Sequence, residues 1–158
     1  MLIEPTYSPK QYWLTILSAG FLSGILSSAV YFLLYWFFYV QQSFLFSLIY
    51  LLPLLSSTIT LIFFKHKFVW NKFSYNAAFS MSFITGLLSA TILSLTLYYA
   101  YTSILESRID LFSNIDKETV QRLMSPSVIS LSMFFINIIL SLFYSLIIAI
   151  FAKRKIKE

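Results

Sequence analysis

The sequence predicts an all-α integral membrane protein, with four transmembrane helices in two antiparallel hairpins and a short amphipathic external segment between helices three and four. Of its 158 residues, 59% are hydrophobic and 11% are charged, and the mean hydropathy is +0.81. A soluble domain carries about 25% charged residues, so most of this chain's surface is expected to face lipid. The apolar runs exceed the roughly 20 residues that cross a bilayer, and their unbroken length disfavours the alternating strands of a barrel.

Helix one is predicted over residues 9–40. It follows Ser8-Pro9, which supplies an N-cap and then proline at the first helical position, where the missing N–H is not needed. The connection that follows, residues 41–43, is very short. It therefore predicts that helix two packs antiparallel against helix one.

Helix two is predicted over residues 44–64, and Pro53 near its middle predicts a kink because it removes one backbone donor. The remaining elements are, in chain order, a basic turn at 65–72, helix three at 73–104, an external segment at 105–125 and helix four at 126–152. The external segment carries charges of both signs, with apolar residues at helical spacing, and is predicted to be an amphipathic cap. All of these elements belong to a single membrane domain, residues 1–158.

Positive charge is concentrated at the basic turn and at the C-terminal tail. The chain has no charged side chain between Lys10 and Lys65, and none between Lys72 and Glu106. The positive-inside rule therefore predicts that both termini and the basic turn are cytoplasmic. The residues expected to set this topology and to meet anionic lipid head groups are Lys65, Lys67, Lys72, Lys153, Arg154 and Lys155. Topology accounts for the net charge of +5, and no nucleic-acid partner is expected.

Helix one contains a candidate helix-packing face. Gly20 and Gly24 form a GxxxG pattern, and Ser27 and Ser28 extend the face of small residues. Small residues at this spacing let two helix backbones approach closely. The leading interpretation is contact with a neighbouring helix of the same bundle, and the alternative is a homodimer through helix one.

Helix four carries a second candidate packing face, with Asn137 and Ser141 as its central residues. An amide in hydrocarbon needs a partner, so Asn137 is expected to face the bundle and to bond a neighbouring helix. The alternative is a polar permeation path along this face, between helices three and four. That path would require a continuous polar cavity.

The residue types in this chain argue against a metal site, proton-coupled transport and catalysis. The chain has no cysteine, and its one histidine, His66, stands between two lysines with no further ligands in reach, so no metal or cofactor is expected. Beyond Lys10 at the start of helix one, no Asp, Glu, Lys or Arg lies within a predicted span, which argues against proton-coupled transport. The serines have no nearby base to activate them, so an enzyme is not expected, and an enzyme acting on lipid is the weakest hypothesis.

Residues 73–86, FSYNAAFSMSFITG, carry a family resemblance through Tyr75, Ala78, Phe79 and Gly86. With the basic turn before them, the charged external segment and the ending IIAIFAKRK, they resemble the bacterial four-span membrane proteins grouped as domain of unknown function 4199. The resemblance implies four spans in the bacterial inner membrane. It implies no activity and supplies no catalytic residues.

The expected function is that of a small, non-enzymatic structural or accessory subunit of the inner membrane. It would act through contacts with lipids and with other helices, using the helix-one glycine face or the external segment. The second hypothesis is a small channel or facilitator that conducts along the polar face of helices three and four.

Overall fold

A computed structural model describes residues 7–37, 48–69, 73–104 and 125–152. It contains four α-helices, which are α1 (Pro9–Phe37), α2 (Leu52–Phe68), α3 (Tyr75–Ile104) and α4 (Pro126–Ala152). Each helix is long and apolar enough to cross a membrane, α2 together with the turn that precedes it. The predicted all-α, four-span class is confirmed. The predicted connection 41–43 and, apart from Ser125, the external segment 105–125 lie outside the described residues.

Serine caps begin three of the four helices. The Ser8 hydroxyl accepts a hydrogen bond from the Gln11 amide at 3.2 Å, and the Gln11 side chain accepts one from the Ser8 amide at 3.1 Å. This reciprocal pair satisfies two amides that the first helical turn leaves without partners. Ser74 and Ser125 cap α3 and α4 with single bonds to the amides three residues on. The Ser8-Pro9 and Ser125-Pro126 starts lie where the sequence predicts them.

The sequence predicted that Pro53 kinks the middle of helix two, but Pro53 lies at the start of a helix. The α-helix begins at Leu52, which places Pro53 in its first turn, and a 3₁₀ turn, Leu48–Leu51, precedes it. The N–H groups of the first helical turn have no acceptor within the helix, so proline, which lacks an N–H, loses no hydrogen bond there. Pro53 therefore fits the start of the helix. The 17 residues of α2 extend about 25 Å, and the 3₁₀ turn adds about 8 Å, enough to cross the hydrocarbon.

Residues 65–68 of the predicted basic turn 65–72 are helical. Lys65, His66 and Lys67 belong to the last turn of α2, which ends at Phe68, one turn beyond the predicted end. Positive side chains at this position interact favourably with the carbonyl end of the helix. The helix therefore carries its own basic residues to the membrane edge.

The helices alternate in direction, and α3 is the central one. It lies antiparallel to α4, where the Ser94 hydroxyl donates to the Ser130 carbonyl at 2.9 Å. It lies parallel to α1, where the Ser23 hydroxyl donates to that of Ser89 at 3.0 Å. The most extensive contacts are those of α3 with α4 and with α1. The short connection predicted that α2 packs against α1, and the two helices are in contact, although α1 contacts α3 more extensively.

Large apolar residues cluster inside the bundle at each end, with smaller polar residues between them. We call the first group the basic-end cluster, because it lies at the end of the bundle with Lys10, Lys65 and Lys67. The buried members of this cluster are Ile16, Leu61, Phe64, Val69, Phe73, Ala78, Met81 and Ala149. The far-end cluster consists of Tyr31, Ile49, Leu93 and Leu97.

Candidate functional site

The glycine face of α1 packs against α3 of the same chain. A Cβ atom at Gly20 would lie 2.7 Å from the Leu88 Cβ, and one at Gly24 would lie 2.6 Å from the Ile92 Cβ. Real Cβ atoms do not approach so closely, so only glycine permits this spacing of the two helices. A homodimer through this face would first have to displace α3.

The serines that extend the glycine face are buried with it. Ser27 is 3% exposed, and the Ser28 hydroxyl donates to the Gly24 carbonyl at 2.9 Å. A serine that bonds its own helix in this way needs no partner across the interface. The interhelical bond comes instead from Ser23, which the sequence analysis did not single out. Ser23 lies one turn before Ser27, and this spacing is the signal that places it on the same face.

Asn137 faces the bundle, and the bond that its side chain makes within the described residues is to its own helix. It is 2% exposed, and its side-chain nitrogen donates to the Met133 carbonyl at 2.8 Å, one turn earlier in α4. Among the described residues, the expected bond to a neighbouring helix is not seen. The carbonyl four residues back is within reach of the amide without crossing the interface.

A group of buried hydroxyls lies where α2, α3 and α4 meet. We call it the hydroxyl layer, and its residues are Ser57, Ser82, Thr85, Ser141 and Ser145. All of them are at most 1% exposed, and the Ser57 hydroxyl donates to the Ser82 carbonyl at 3.3 Å. Within the described part of the chain, the other four hydroxyl oxygens have no hydrogen-bond partner. The sequence predicted Ser141 as a packing residue and missed Ser57 and Thr85.

The α3–α4 contact is tight beside this layer. A Cβ atom at Gly86 would lie 2.6 Å from the Ser141 Cβ and would also meet its hydroxyl oxygen. All residues that α4 buries are small or polar, namely Ser130, Asn137, Ser141, Ser145 and Ala149. At Gly86 the two helices leave no space between them for a permeation path.

Tyrosines supply hydrogen bonds between helices toward both ends of the bundle. The Tyr12 hydroxyl donates to the Ala77 carbonyl at 2.9 Å and pairs with the Ser80 hydroxyl at 2.6 Å. The hydroxyls of Tyr31 and Tyr101 pair at 2.6 Å toward the far end. Such bonds fix one helix relative to another because the rings reach across the interface from apolar surroundings. These contacts were not visible in the sequence, where the aromatic residues indicate only membrane interfaces.

The basic end presents positive charge next to aromatic rings. The Lys67 ammonium lies 5.2 Å from the centre of the Phe63 ring and 5.4 Å from that of Phe68. Lys67 and His66 are exposed, and Lys65 is partly exposed. The other predicted head-group residues, Lys72, Lys153, Arg154 and Lys155, lie outside the described residues. Among the residues that the structure describes, no group of histidines and carboxylates could hold a metal ion.

Comparison of the chain with models of protein families, with functionally described proteins and with solved structures finds no match. The resemblance to domain of unknown function 4199 therefore stays a prediction.

Proposed function

We propose that this protein is a non-enzymatic structural or accessory subunit of a bacterial inner-membrane complex. The observation that carries the proposal is the outer face of α4. Only 22% of the apolar stretch of α4 is buried in the bundle, against 44% for α3. Of the four spans, α4 is also the most apolar, so it offers the most surface to lipids and to the helices of a partner.

The outer face of α4 is built from large side chains. Phe135 is 58% exposed, Phe143 is 57% exposed and Phe151 is 80% exposed. Lipid tails are as apolar as these rings, so binding of another helix here would depend on shape and close packing. Aromatic side chains at helical spacing provide ridges for such packing. The glycine face of α1, one of the two contact surfaces predicted from the sequence, packs against α3 of the same chain; the other, the external segment, lies outside the described residues.

The interior supports a role without chemistry or proton coupling. The sequence places no Asp, Glu, Lys or Arg between Lys10 and Lys65, between Lys72 and Glu106, or between Arg122 and Lys153. Acid–base catalysis and proton transfer depend on such groups. The buried polar groups of the bundle are hydroxyls and an amide, and such groups favour contact between helices.

The test is the mass of particles extracted from the native membrane with an amphipathic polymer, without detergent. We expect wild-type particles to contain the 18.4-kDa chain together with further protein. The double variant Phe135→Ala, Phe143→Ala is expected to shift them toward the mass of a single chain. Leu14→Ala with Leu22→Ala, on the exposed face of α1, is the matched control and is expected to leave the mass unchanged. Wild-type particles that hold one chain alone would contradict the proposal.

The orientation of the chain is part of the proposal. The basic end would face the cytoplasm, with Lys65 and Lys67 against anionic lipid head groups, which attract positive side chains near the surface. Purified particles are then expected to retain more anionic than zwitterionic lipid. The double variant Lys65→Gln, Lys67→Gln is expected to reduce this preference. Equal lipid retention by both proteins would contradict the lipid contact.

A small facilitator for uncharged solutes is the second candidate function. The observation in its favour is the set of unpartnered hydroxyls on α3 and α4, and the tight contact at Gly86 opposes it. Conduction would require α4 to separate from α3 at this level. Swelling of proteoliposomes in glycerol or urea, compared with protein-free liposomes, is the test. Equal swelling rates would remove this candidate.

A further inference from the structure

Four buried hydroxyls without partners stand out among the polar groups of the bundle. Ser82, Thr85, Ser141 and Ser145 are each 0% exposed, and their hydroxyl oxygens meet no hydrogen-bond partner within the described residues. Other hydroxyls of the same helices bond a carbonyl of their own helix, as Thr91 and Thr96 do. A buried polar group without a partner is costly, so these four require an explanation.

The four hydroxyls lie in one layer of the bundle. Gly86 and Ser141 are in direct contact across α3 and α4, which run antiparallel. Ser82 lies one turn before Gly86 in α3, and Ser145 lies one turn after Ser141 in α4. Because the helices are antiparallel, Ser82 and Ser145 lie at the same level of the bundle. The layer is therefore about 6 Å thick along the helix axes. Thr85 precedes Gly86 and falls within it.

Buried residues lie on both sides of the layer. Toward the basic end, Met81 and Ala149 belong to the basic-end cluster together with Phe64, whose side chain is fully buried. In the other direction lie Ser89 and Asn137, which have hydrogen bonds, and then the far-end cluster. The layer is an enclosed polar site near the middle of the chain's membrane-spanning part.

The composition of the layer specifies what it can bind. It contains no ionisable group, so a charged ligand would be buried without a counter-ion. Each hydroxyl both donates and accepts, so a suitable ligand also does both. Gly86 and Ser141 are in tight contact and the four side chains have no exposed surface, so a ligand among them has to be very small. Water meets all three requirements.

We propose that the hydroxyl layer is a water-binding site, in which buried water molecules bridge α3 and α4 through Ser82, Thr85, Ser141 and Ser145. Buried water typically makes about three hydrogen bonds to protein groups that would otherwise be unsatisfied. The site would hold α4 on α3 through water as well as through direct contact. This proposal does not depend on whether the protein is an accessory subunit.

Radiolytic footprinting of the folded protein in proteoliposomes tests the site, because radicals formed from a bound water oxidise the side chains beside it. Met81 is the reporter, since it is 0% exposed and lies within one turn of both Ser82 and Thr85. We expect Met81 to be oxidised in the wild type. In the Ser82→Ala, Ser145→Ala variant, its oxidation rate is expected to fall at least about threefold, because the water loses its partners.

Two controls make the result specific. Ser18→Ala alters an exposed hydroxyl on α1 and is expected to leave Met81 oxidation unchanged. Met133, which accepts a hydrogen bond from the Tyr50 hydroxyl at 3.8 Å, serves as a reference within each sample. Protection of Met81 in the folded wild type would overturn the proposal, and so would Met81 oxidation that the variant does not reduce.

Stability in detergent gives a second measurement on the same variant. Removing hydroxyls that are dry and unpartnered is expected to raise the midpoint of unfolding, whereas removing hydroxyls that hold water is expected to leave it unchanged or lower it. A raised midpoint would therefore contradict the water site. If the variant does not fold, the wild-type oxidation of Met81 decides the outcome. The particle-mass test of the proposed function is independent of both readings.

Discussion

Substitution of Gly24 by alanine is expected to separate α1 from α3. The added Cβ would lie 2.6 Å from the Ile92 Cβ, 2.9 Å from its Cδ1 and 3.0 Å from its Cγ2. Carbon atoms in contact are normally about 3.5–4.0 Å apart, so the helices must part by about 1 Å. The Ile92 Cβ is fixed to the backbone and cannot turn away.

The energetic cost follows from this movement. Overpacking of a tight interface costs about 1–3 kcal/mol. The same movement stretches the 3.0 Å bond between Ser23 and Ser89, and an interhelical bond in a membrane is worth about 0.6 kcal/mol. Alanine is favoured over glycine in a helix by about 1 kcal/mol, which offsets part of the loss. We expect a net destabilisation of about 1–2 kcal/mol.

The assay is equilibrium unfolding in mixed micelles, followed by tryptophan fluorescence. Ala29→Leu is the control, because it adds bulk to an exposed position of α1, and a change within about 0.5 kcal/mol is expected. A Gly24→Ala protein that is as stable as the wild type would refute the close approach of α1 to α3. If the glycine instead joins two chains, the particle mass will fall while the stability of the single chain is unchanged.

Three further predictions concern the two ends of the bundle. Burial raises the pKa of Tyr7 above its ordinary value of 10.0, because the charged phenolate is disfavoured there. The contribution of neutral Tyr7 to the free energy of unfolding is therefore fully present below pH 10 and is lost as the pH rises through the raised pKa. In a pH series of unfolding free energies, Tyr7→Phe should lessen the alkaline loss, and an identical loss would contradict this. Tyr144→Phe removes the bond from its hydroxyl to the Tyr50 carbonyl at 3.1 Å and should cost about 0.5–1.5 kcal/mol in the mixed-micelle assay. Lys67→Cys and Thr102→Cys should react with impermeant thiol reagents from opposite sides of the membrane, and labelling from one side would contradict the alternation of the helices.

The number and type of the helices were predictable because lipid imposes a simple rule on the chain. A span needs a long apolar run, and the sequence has four. Two helix starts were also predictable, because Ser8-Pro9 and Ser125-Pro126 carry their own capping chemistry. The start at Leu52 was not, because a proline within an apolar run fits both a kink and a first turn.

The neighbours of each helix could not be read from the sequence. The connection at 41–43 predicted contact between α1 and α2, but it could not show that α3 is the more extensive neighbour of α1. The spacing of Gly20 and Gly24 indicates close packing without naming the partner, which is α3. The layer formed by Ser82 and Ser145 depends on the register of two helices, which appears only once they are packed.

The parallel contact of α1 with α3 has a consequence for biosynthesis. The Ser23–Ser89 bond joins residues 66 positions apart, so α2 is translated between α1 and its most extensive neighbour. Contacts between α1 and α2 can form first, but the glycine face has to wait for α3. The close approach that Gly20 and Gly24 permit is therefore completed only after three helices have been made.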